Sequence, residues 1–128
     1  MIRTMLQAKL HRARVTQACL DYEGSCGIDE ELLELSGILP NQSIDIYNVT
    51  NGERFRTYAI RGQRGSGEIS LNGAAARRVA LGDILIICAY AEYSQAEIAT
   101  HEPIVILMDE NNRVREVIRK EAAIHAAA

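Results

Sequence analysis

Short segments with strand character, separated by turn residues, run through most of this chain. Residues 2–10 alternate between apolar and mainly polar positions, the period of a strand with one buried face. The pair Asn51-Gly52 suits the positive φ angles of a type I′ turn and separates two strand-like runs, residues 44–50 and 53–60. It therefore predicts a β-hairpin, and the chain as a whole is predicted to be mainly β.

Capping and turn residues predict the other elements. Asp29 is placed to cap a short helix over Glu30–Ser36, which Gly37 would end. A second short helix is expected over Gly73–Arg78. Further predictions are strands at residues 15–20, 84–90, 103–108 and from 114, a helical turn at residues 94–100 and a turn at residues 109–112. So many strands around two or three short helices suggest a small closed barrel, because closure removes exposed sheet edges.

Length and composition fit a single domain over residues 1–128. The chain has a mass of 14.2 kDa, and its 48% of hydrophobic residues suffice for a core that needs no disulfide or metal. Its longest apolar run, residues 84–91, is well short of the ~18 residues of a membrane helix, and the start lacks the apolar core of a signal peptide. A cytoplasmic location is therefore expected. The tail from about residue 119 is expected to be helical or frayed.

The metal-ligating residue types are scattered along the chain. There is no CxxC pair among the three cysteines, and the three histidines lie far apart. The pattern disfavours a zinc site or a disulfide framework and indicates buried free thiols. The residues concerned are Cys19, Cys26, Cys88, His11, His101 and His125.

Arginines are concentrated between residues 54 and 78, although the net charge is −3. Scattered solvated arginines are the ordinary interpretation. A small β-barrel that binds nucleic acid through this segment is the alternative. It is weakened by a shortage of aromatic side chains for base stacking, since Phe55 and Tyr58 are the only ones in the segment.

Taken one at a time, the candidate functional residues fit ordinary structural roles as well as chemical ones. A Gly-Ser pair is either a reactive bond in a turn or a loop, and a Gly-Ala segment is either an anion site at a helix start or tight packing. Lys9 and His11 are either site residues or a solvated strand face, and Arg54 is either a site residue or a surface charge. Tyr58 is either an acid or a core or interface residue. The candidates are Gly24-Ser25, Gly65-Ser66, residues 72–75, Lys9, His11, Arg54 and Tyr58.

Ten short motifs follow one another in order from residue 1 to about residue 90. They are MIRTMLQ (1–7), KLH (9–11), YEGSC (22–26), IDI (44–46), NVTNG (48–52), RF (54–55), TYAI (57–60), RGS (64–66), NGAAA (72–76) and GD (82–83). Read together, these motifs resemble one family, the pyruvoyl-dependent aspartate 1-decarboxylases. Beyond about residue 90 the resemblance is loose.

The resemblance implies a fold and an activity. The fold would be a six-stranded double-psi β-barrel, assembled as a tetramer with sites between subunits. The activity would convert L-aspartate to β-alanine and CO2 for pantothenate and coenzyme A synthesis. A non-cleaving relative that keeps the barrel remains an alternative.

The resemblance also implies a cofactor that the chain makes from itself. The bond between Gly24 and Ser25 would break, with or without a maturation factor, into chains 1–24 and 25–128. Ser25 would become a pyruvoyl group that forms a Schiff base with the substrate amine, so that neither pyridoxal phosphate nor a metal is needed.

Residue roles follow from the same resemblance. Ser25 and Tyr58 would be catalytic, with Tyr58 as the proton donor, and Thr57 would assist cleavage at Gly24. The substrate-binding set would be Lys9, Arg54, Thr57, Gly73, Ala74 and Ala75. The supporting set would be His11, Tyr22, Asn72 and Tyr47, the last at a position where the family often has tryptophan. Because the neighbours Thr57 and Tyr58 point to opposite sides of an ideal strand, a site shared between subunits is expected.

Overall fold

The computed structural model describes residues 1–119, and this part of the chain is mainly β, as predicted, with three short helices. The strands are β1 (Ile2–Arg14), β2 (Gln17–Cys19), β3 (Ser25–Asp29), β4 (Ser43–Asn48), β5 (Arg54–Gly62), β6 (Ile69–Asn72), β7 (Ile84–Ser94), β8 (Ile104–Met108) and β9 (Val114–Ile118). The helices are α1 (Glu30–Ser36), a 3₁₀ helix (Gly73–Arg78) and α2 (Gln95–Ile98). The predicted tail, apart from Arg119, lies outside the described residues.

All nine strands belong to one sheet in the order β2-β6-β3-β5-β4-β7-β1-β8-β9. Nine strands rather than six are therefore hydrogen-bonded together, because β2 at one end and β8 with β9 at the other extend a central set of six. Within residues 1–119 the two end strands do not pair with each other, so hydrogen bonds do not close the sheet. The long antiparallel pair of β1 with β7 and the parallel pair of β3 with β5 fix the register of the centre.

One face of the six central strands fills a single hydrophobic cluster. The members from these strands are Ala8, Leu10, Ala13, Cys26, Ile28, Ile44, Ile46, Ala59, Ile69, Leu71, Leu85, Ile87 and Ala89, each fully buried. Because side chains alternate along a strand, the residues between them point to the opposite face of the sheet. That opposite face, called the outer face below, carries polar residues of β1, β4 and β5.

The hairpin of β4 and β5 forms as predicted, but its turn is not of type I′. That turn needs positive φ at both central residues, whereas Gly52 has φ +82° and Asn51 does not have a positive φ. The turn is longer, with the Gly52 amide donating to the Asn48 carbonyl at 2.8 Å. The Asn48 side chain accounts for this, because its Oδ1 accepts from the amides of Thr50 and Asn51.

Helix α1 begins and ends at the predicted residues. Asp29 caps it through a 2.9 Å bond from the Glu31 amide, and Gly37 ends it at φ +77°. The Asp29 carboxylate also accepts from the amides of Gly65 and Gly67 at 3.0 and 2.8 Å. Burial would raise the pKa of Asp29, but these backbone bonds outweigh it and hold the pKa below its usual value. The stability they confer is present above the ordinary carboxyl pKa and is lost as the pH falls through the folded one.

The three cysteines are free thiols. Cys26 and Cys88 are buried, as predicted, whereas Cys19 is half-buried. Burial raises the pKa of the Cys26 thiol to about 12, so it stays protonated and unreactive. Within residues 1–119, the helices are too short or too polar to span a membrane.

Asn112, in the predicted turn between β8 and β9, connects three parts of the fold. It is 4% exposed and has φ +59°. Its Nδ2 donates to the carbonyls of Arg14 and Gly67, both at 2.8 Å, and its Oδ1 accepts from the Arg14 amide at 2.7 Å. Asparagine suits this position because it tolerates the left-handed backbone and supplies both donor and acceptor.

We expect Asn112→Ala to lower the free energy of unfolding by about 2–4 kcal/mol, because it leaves the Arg14 and Gly67 backbone groups without partners. The neighbouring Asn111→Ala is the control, since that side chain is exposed, and it should cost less than about 0.5 kcal/mol. Chemical denaturation of both variants checks this. Equal losses would show that the Asn112 side chain contributes nothing specific.

Candidate active site

The residues singled out from the sequence lie in two regions. The first, called the Ser25 group, comprises Tyr22, Gly24, Ser25, Asn72 and Gly73. The second, called the Arg54 face, is part of the outer face of the sheet and comprises Lys9, His11, Tyr47, Arg54 and Tyr58. Thr57, Ala74 and Ala75 belong to neither.

The Ser25 group forms where β3 begins beside the end of β6. Ser25 pairs with Asn72 across the two antiparallel strands, and both are buried, at 3% and 6% exposure. Asn72 Nδ2 donates to Ser25 Oγ at 3.0 Å, and the Ser25 hydroxyl donates to the Glu23 carbonyl at 3.5 Å. Gly24, immediately before, is exposed. The serine oxygen is therefore held by protein groups, while the residue that precedes it is exposed.

Gly73 closes the Ser25 group from the side of the 3₁₀ helix. It has φ +65°, and a Cβ there would lie 2.7 Å from the Gly24 nitrogen and 2.8 Å from both Gly24 Cα and the Tyr22 carbonyl oxygen. Any larger residue would collide with backbone. The helix start is thus packed directly against the segment that leads into Ser25. The Asn72 side chain makes no capping bond to the helix, and its nitrogen donates to Ser25 Oγ.

The alanines that follow Gly73 differ in exposure. Ala74 is exposed, whereas Ala75 is 9% exposed and belongs to the hydrophobic cluster. The structure therefore places Ala74 at the surface, next to the Ser25 group, and uses Ala75 for packing.

The strand register assembles the Arg54 face. Tyr47 on β4 pairs with Arg54 on β5, and Lys9 on β1 pairs with Cys88 on β7. Paired residues share a face of the sheet. The Arg54 guanidinium carbon lies 4.4 Å from the centre of the Tyr47 ring, a cation–π contact. Among the described residues, Arg54 has no carboxylate within ion-pair distance.

His11 is half-buried on the same face, two residues beyond Lys9. Within the described chain, its Nδ1 is buried without a hydrogen-bond partner. Burial first, and then the positive charges of Lys9 and Arg12, lower the pKa of His11 below its ordinary value. The imidazole is therefore neutral at pH 7.

Thr57 and Tyr58 point to opposite faces, as predicted. Thr57 pairs with the fully buried Ile44, and Tyr58 pairs with the exposed Ser43, in a register without a bulge. The bend that would let one site use both is therefore absent from β5 between residues 54 and 58. Since Cys26 pairs with Ala59, the preceding residues Ser25 and Tyr58 lie on the same face of adjacent strands.

With the exception of Tyr58, one chain does not bring the Arg54 face to the Ser25 group. Lys9 on β1 is four strands away from Ser25 on β3, or about 19 Å along the sheet. Arg54 is four residues from Tyr58, about 13 Å along β5. Of the Arg54 face, Tyr58 is thus the member nearest to Ser25 in the strand register, and Lys9 and Arg54 are farther away.

The arginine-rich segment does not present a continuous basic surface. Four of its arginines are paired with carboxylates: Arg56 with Asp45, Arg61 with Glu30, Arg64 with Glu30 and Glu34, and Arg78 with Glu53. Such pairing leaves little free charge for phosphate contacts, so the structure does not favour a nucleic-acid interface. Within residues 1–119, no group of three or more His, Cys, Asp or Glu side chains is placed to hold a metal ion.

Comparison with known proteins points to one family. A family model described as aspartate decarboxylase matches residues 1–115. The chain is 60% identical to the aspartate 1-decarboxylase of Ralstonia pickettii (strain 12J) over 117 residues, which cover 91% of this chain and 98% of the relative. The corresponding enzyme of Bordetella avium (strain 197N) is 61% identical over 91% of this chain and 96% of its own. The aspartate 1-decarboxylase of Cupriavidus taiwanensis is 62% identical over 91% of this chain and 98% of its own.

We expect Gly73→Ala to be more destabilising than Gly52→Ala by about 2 kcal/mol or more. Both glycines have positive φ, but a Cβ at Gly52 meets nothing within 4 Å, so the difference isolates the contact with the Gly24 backbone. Thermal unfolding of the two variants measures it. If the two variants have the same melting temperature, the 3₁₀ helix can move away from Gly24 with little loss of stability.

Proposed function

The chain belongs to the aspartate decarboxylase family and decarboxylates L-aspartate, and from this premise we propose that it makes a pyruvoyl group from Ser25 to do so. The observation that carries the proposal is the Ser25 group, in which a buried serine oxygen is held 3.0 Å from the Asn72 amide directly after an exposed glycine. The product is β-alanine, for pantothenate and coenzyme A synthesis.

The first steps use this chain's own atoms. Ser25 Oγ attacks the Gly24 carbonyl carbon, an ester replaces the peptide bond, and the hydroxyl proton passes to the Ser25 nitrogen. Loss of the Ser25 Cα proton then breaks the Cβ–O bond, releasing chain 1–24 as a carboxylate and leaving dehydroalanine. Addition of water and departure of ammonia leave a ketone at the first residue of chain 25–128.

The local structure fits these steps. Gly24 has no Cβ to shield its carbonyl, and Asn72 orients the serine oxygen. Gly73 fixes the backbone on the other side of the bond. Thr57 lies two residues before Ala59, and Gly24 lies two residues before its partner Cys26, so both are at the same end of the β3–β5 pair. We assign Thr57 as a donor to the oxyanion that forms at Gly24.

When present, the pyruvoyl group supplies a carbonyl that accepts the electron pair left by the departing α-carboxylate. Tyr58 is then the proton donor to the substrate carbon, since it lies on the same face as Ser25 on the adjacent strand. Tyr58 is 37% exposed. Ala74 and Gly73 present backbone next to the substrate, with Ala75 supporting them and Tyr22 covering the site.

Arg54 binds a substrate carboxylate through two parallel hydrogen bonds. The structure supports this choice because Arg56, on the same face, is already paired with Asp45 at 2.9 Å, whereas Arg54 rests on the Tyr47 ring. Lys9 is the second positive charge for the substrate, and the neutral His11 lies beside it. Charge-assisted hydrogen bonds of this kind contribute roughly 1.5–3 kcal/mol each.

The assembly brings the two regions together. We propose that the six central strands curl into a double-psi β-barrel, because one face of all six fills a single cluster. We further propose a tetramer in which the Arg54 face of one subunit lies against the Ser25 group of the next. The four-strand separation of Lys9 from Ser25 within one chain supports this. The free thiols fit a reducing cytoplasm, where we place the enzyme.

Self-cleavage is tested by mass spectrometry of the denatured protein. We expect the 14.2 kDa chain to divide into fragments of roughly 2.7 and 11.5 kDa, in proportion to the residues on each side of the bond. Ser25→Ala should fold, remain whole and be inactive. Ser66→Ala, in the other Gly-Ser pair, should cleave normally.

Wild-type protein that stays whole and inactive after prolonged incubation, with or without extract of its own cells, would contradict the proposal and identify a non-cleaving relative. Cleavage that needs the extract would reveal a maturation factor and leave the chemistry unchanged. Activity in Ser25→Ala would exclude a pyruvoyl group at this residue.

Tyr58→Phe separates the two reactions. We expect normal cleavage, because the hydrogen bonds that hold Ser25 Oγ in the described residues come from Glu23 and Asn72 and not from Tyr58. Decarboxylation should slow by about 10²-fold or more in kcat, since the proton donor is lost. Steady-state kinetics on fully cleaved protein measure this, and an unchanged kcat would remove Tyr58 from the role.

A further inference from the structure

The residue that supports Arg54 is itself held by another strand. The Tyr47 hydroxyl lies 3.0 Å from the hydroxyl of Tyr90, on β7. Tyr47 thus makes two contacts with different parts of its side chain. The ring lies under the Arg54 guanidinium, and the hydroxyl is bound to Tyr90.

We propose that Tyr90 is a positioning residue for substrate binding, which acts by fixing the Tyr47 ring beneath Arg54. The inference rests on the proposed role of Arg54 as the carboxylate-binding group. It adds that the hydroxyl pair of Tyr47 and Tyr90 sets the direction in which the guanidinium faces the substrate. Tyr90 does not touch the substrate in this arrangement.

The register shows why the contact constrains Tyr47. Tyr47 and Asp45 on β4 pair with Ile86 and Cys88 on β7. Tyr90 is two positions beyond Cys88 and therefore lies on the same face. The two tyrosines reach each other only because their side chains lean toward one another along the strands, over Asp45 and Cys88. A tyrosine without this bond is free to turn its ring toward solvent.

The orientation of Arg54 depends on the Tyr47 ring, whereas that of Arg56 does not. Arg56 is fixed by the Asp45 carboxylate, whereas the contact that the described residues offer the Arg54 guanidinium is the ring face. A carboxylate partner would compete with the substrate, but an aromatic ring orients the guanidinium and leaves its N–H groups available. This arrangement works only if another residue fixes the orientation of the Tyr47 ring.

The state of the Tyr90 hydroxyl is consistent with this role. The hydrogen bond with Tyr47, and then burial, raise the pKa of Tyr90 above its ordinary value. The hydroxyl is therefore protonated throughout the range in which the substrate carboxylates are ionised, and the pair stays hydrogen-bonded. The other titratable groups that face this pair are Cys88, which acts directly on Tyr90, and Asp45, Arg56 and Glu92, which line the same surface pocket.

The test compares Tyr90→Phe with Tyr93→Phe in the cleaved enzyme. Tyr93 is on the same strand, and its ring stacks on His101 at 4.2 Å, with no part in the Arg54 face. We expect Tyr90→Phe to raise the KM for aspartate and the inhibition constant of succinate, an unreactive dicarboxylate, by about three- to tenfold. The kcat should stay within about twofold, and self-cleavage should be unchanged. Tyr93→Phe should leave all four quantities unaltered.

A double-mutant cycle shows whether the effect passes through Tyr47 and Arg54. Adding Tyr90→Phe to Tyr47→Phe, or to Arg54→Lys, should produce no further rise in KM. The inference is overturned if Tyr90→Phe leaves KM unchanged, lowers kcat alone, or adds its full effect to Arg54→Lys.

The cycle also separates this inference from the proposed function. If Arg54→Lys raises KM but Tyr90→Phe does not, only the role of Tyr90 is wrong. If Arg54→Lys leaves the KM of the active enzyme unchanged, the assignment of Arg54 is wrong and the role of Tyr90 falls with it. Absence of aspartate turnover in the cleaved wild type would contradict the function itself.

Discussion

The alternation of side chains along the six central strands determines both the core and the site. Because one face of every central strand is committed to the same buried cluster, a shift of one residue would expose that cluster, and the register is therefore fixed. The outer face receives whatever remains. Tyr58 and Arg54 are presented outward for the same reason that Ala59 is buried, and Thr57 is turned away from them. The site is a consequence of the packing of the sheet.

Elements that depend on neighbours in the sequence were predictable. Helix α1 follows from Asp29 and Gly37, and the β4–β5 hairpin follows from a glycine between two strand-like runs. The type of the hairpin turn could not be predicted, because the Asn48 side chain accepts hydrogen bonds from the amides of the turn. The order of the strands in the sheet could not be predicted either. Its parallel pairs join residues far apart in the sequence, and no local pattern records such pairing.

The site divides in the same way. The residue types were found through the motifs, but their arrangement was not, since the bond between Asn72 and Ser25 joins positions 47 residues apart. Tyr90 carried no signal, because a tyrosine in an apolar strand is most often an ordinary packing residue. The contact of Tyr90 with Tyr47 follows from the pairing of β4 with β7, which the structure shows. The proposed contacts between subunits join residues of two chains, and a pattern within one sequence does not record such pairs.

The separation of the two regions has a consequence for the order of events. Gly24, Ser25, Asn72 and Gly73 meet within one chain, and Thr57 lies at the same end of its strand pair, so the groups assigned to self-cleavage are all local. The groups assigned to the substrate carboxylates, Lys9 and Arg54, are remote from Ser25 in that chain. On these assignments, cleavage depends on folding of the single chain, whereas decarboxylation also depends on assembly. Interface substitutions that dissociate the subunits should then abolish turnover while leaving the chain able to cut itself, because the first reaction needs one sheet and the second needs two.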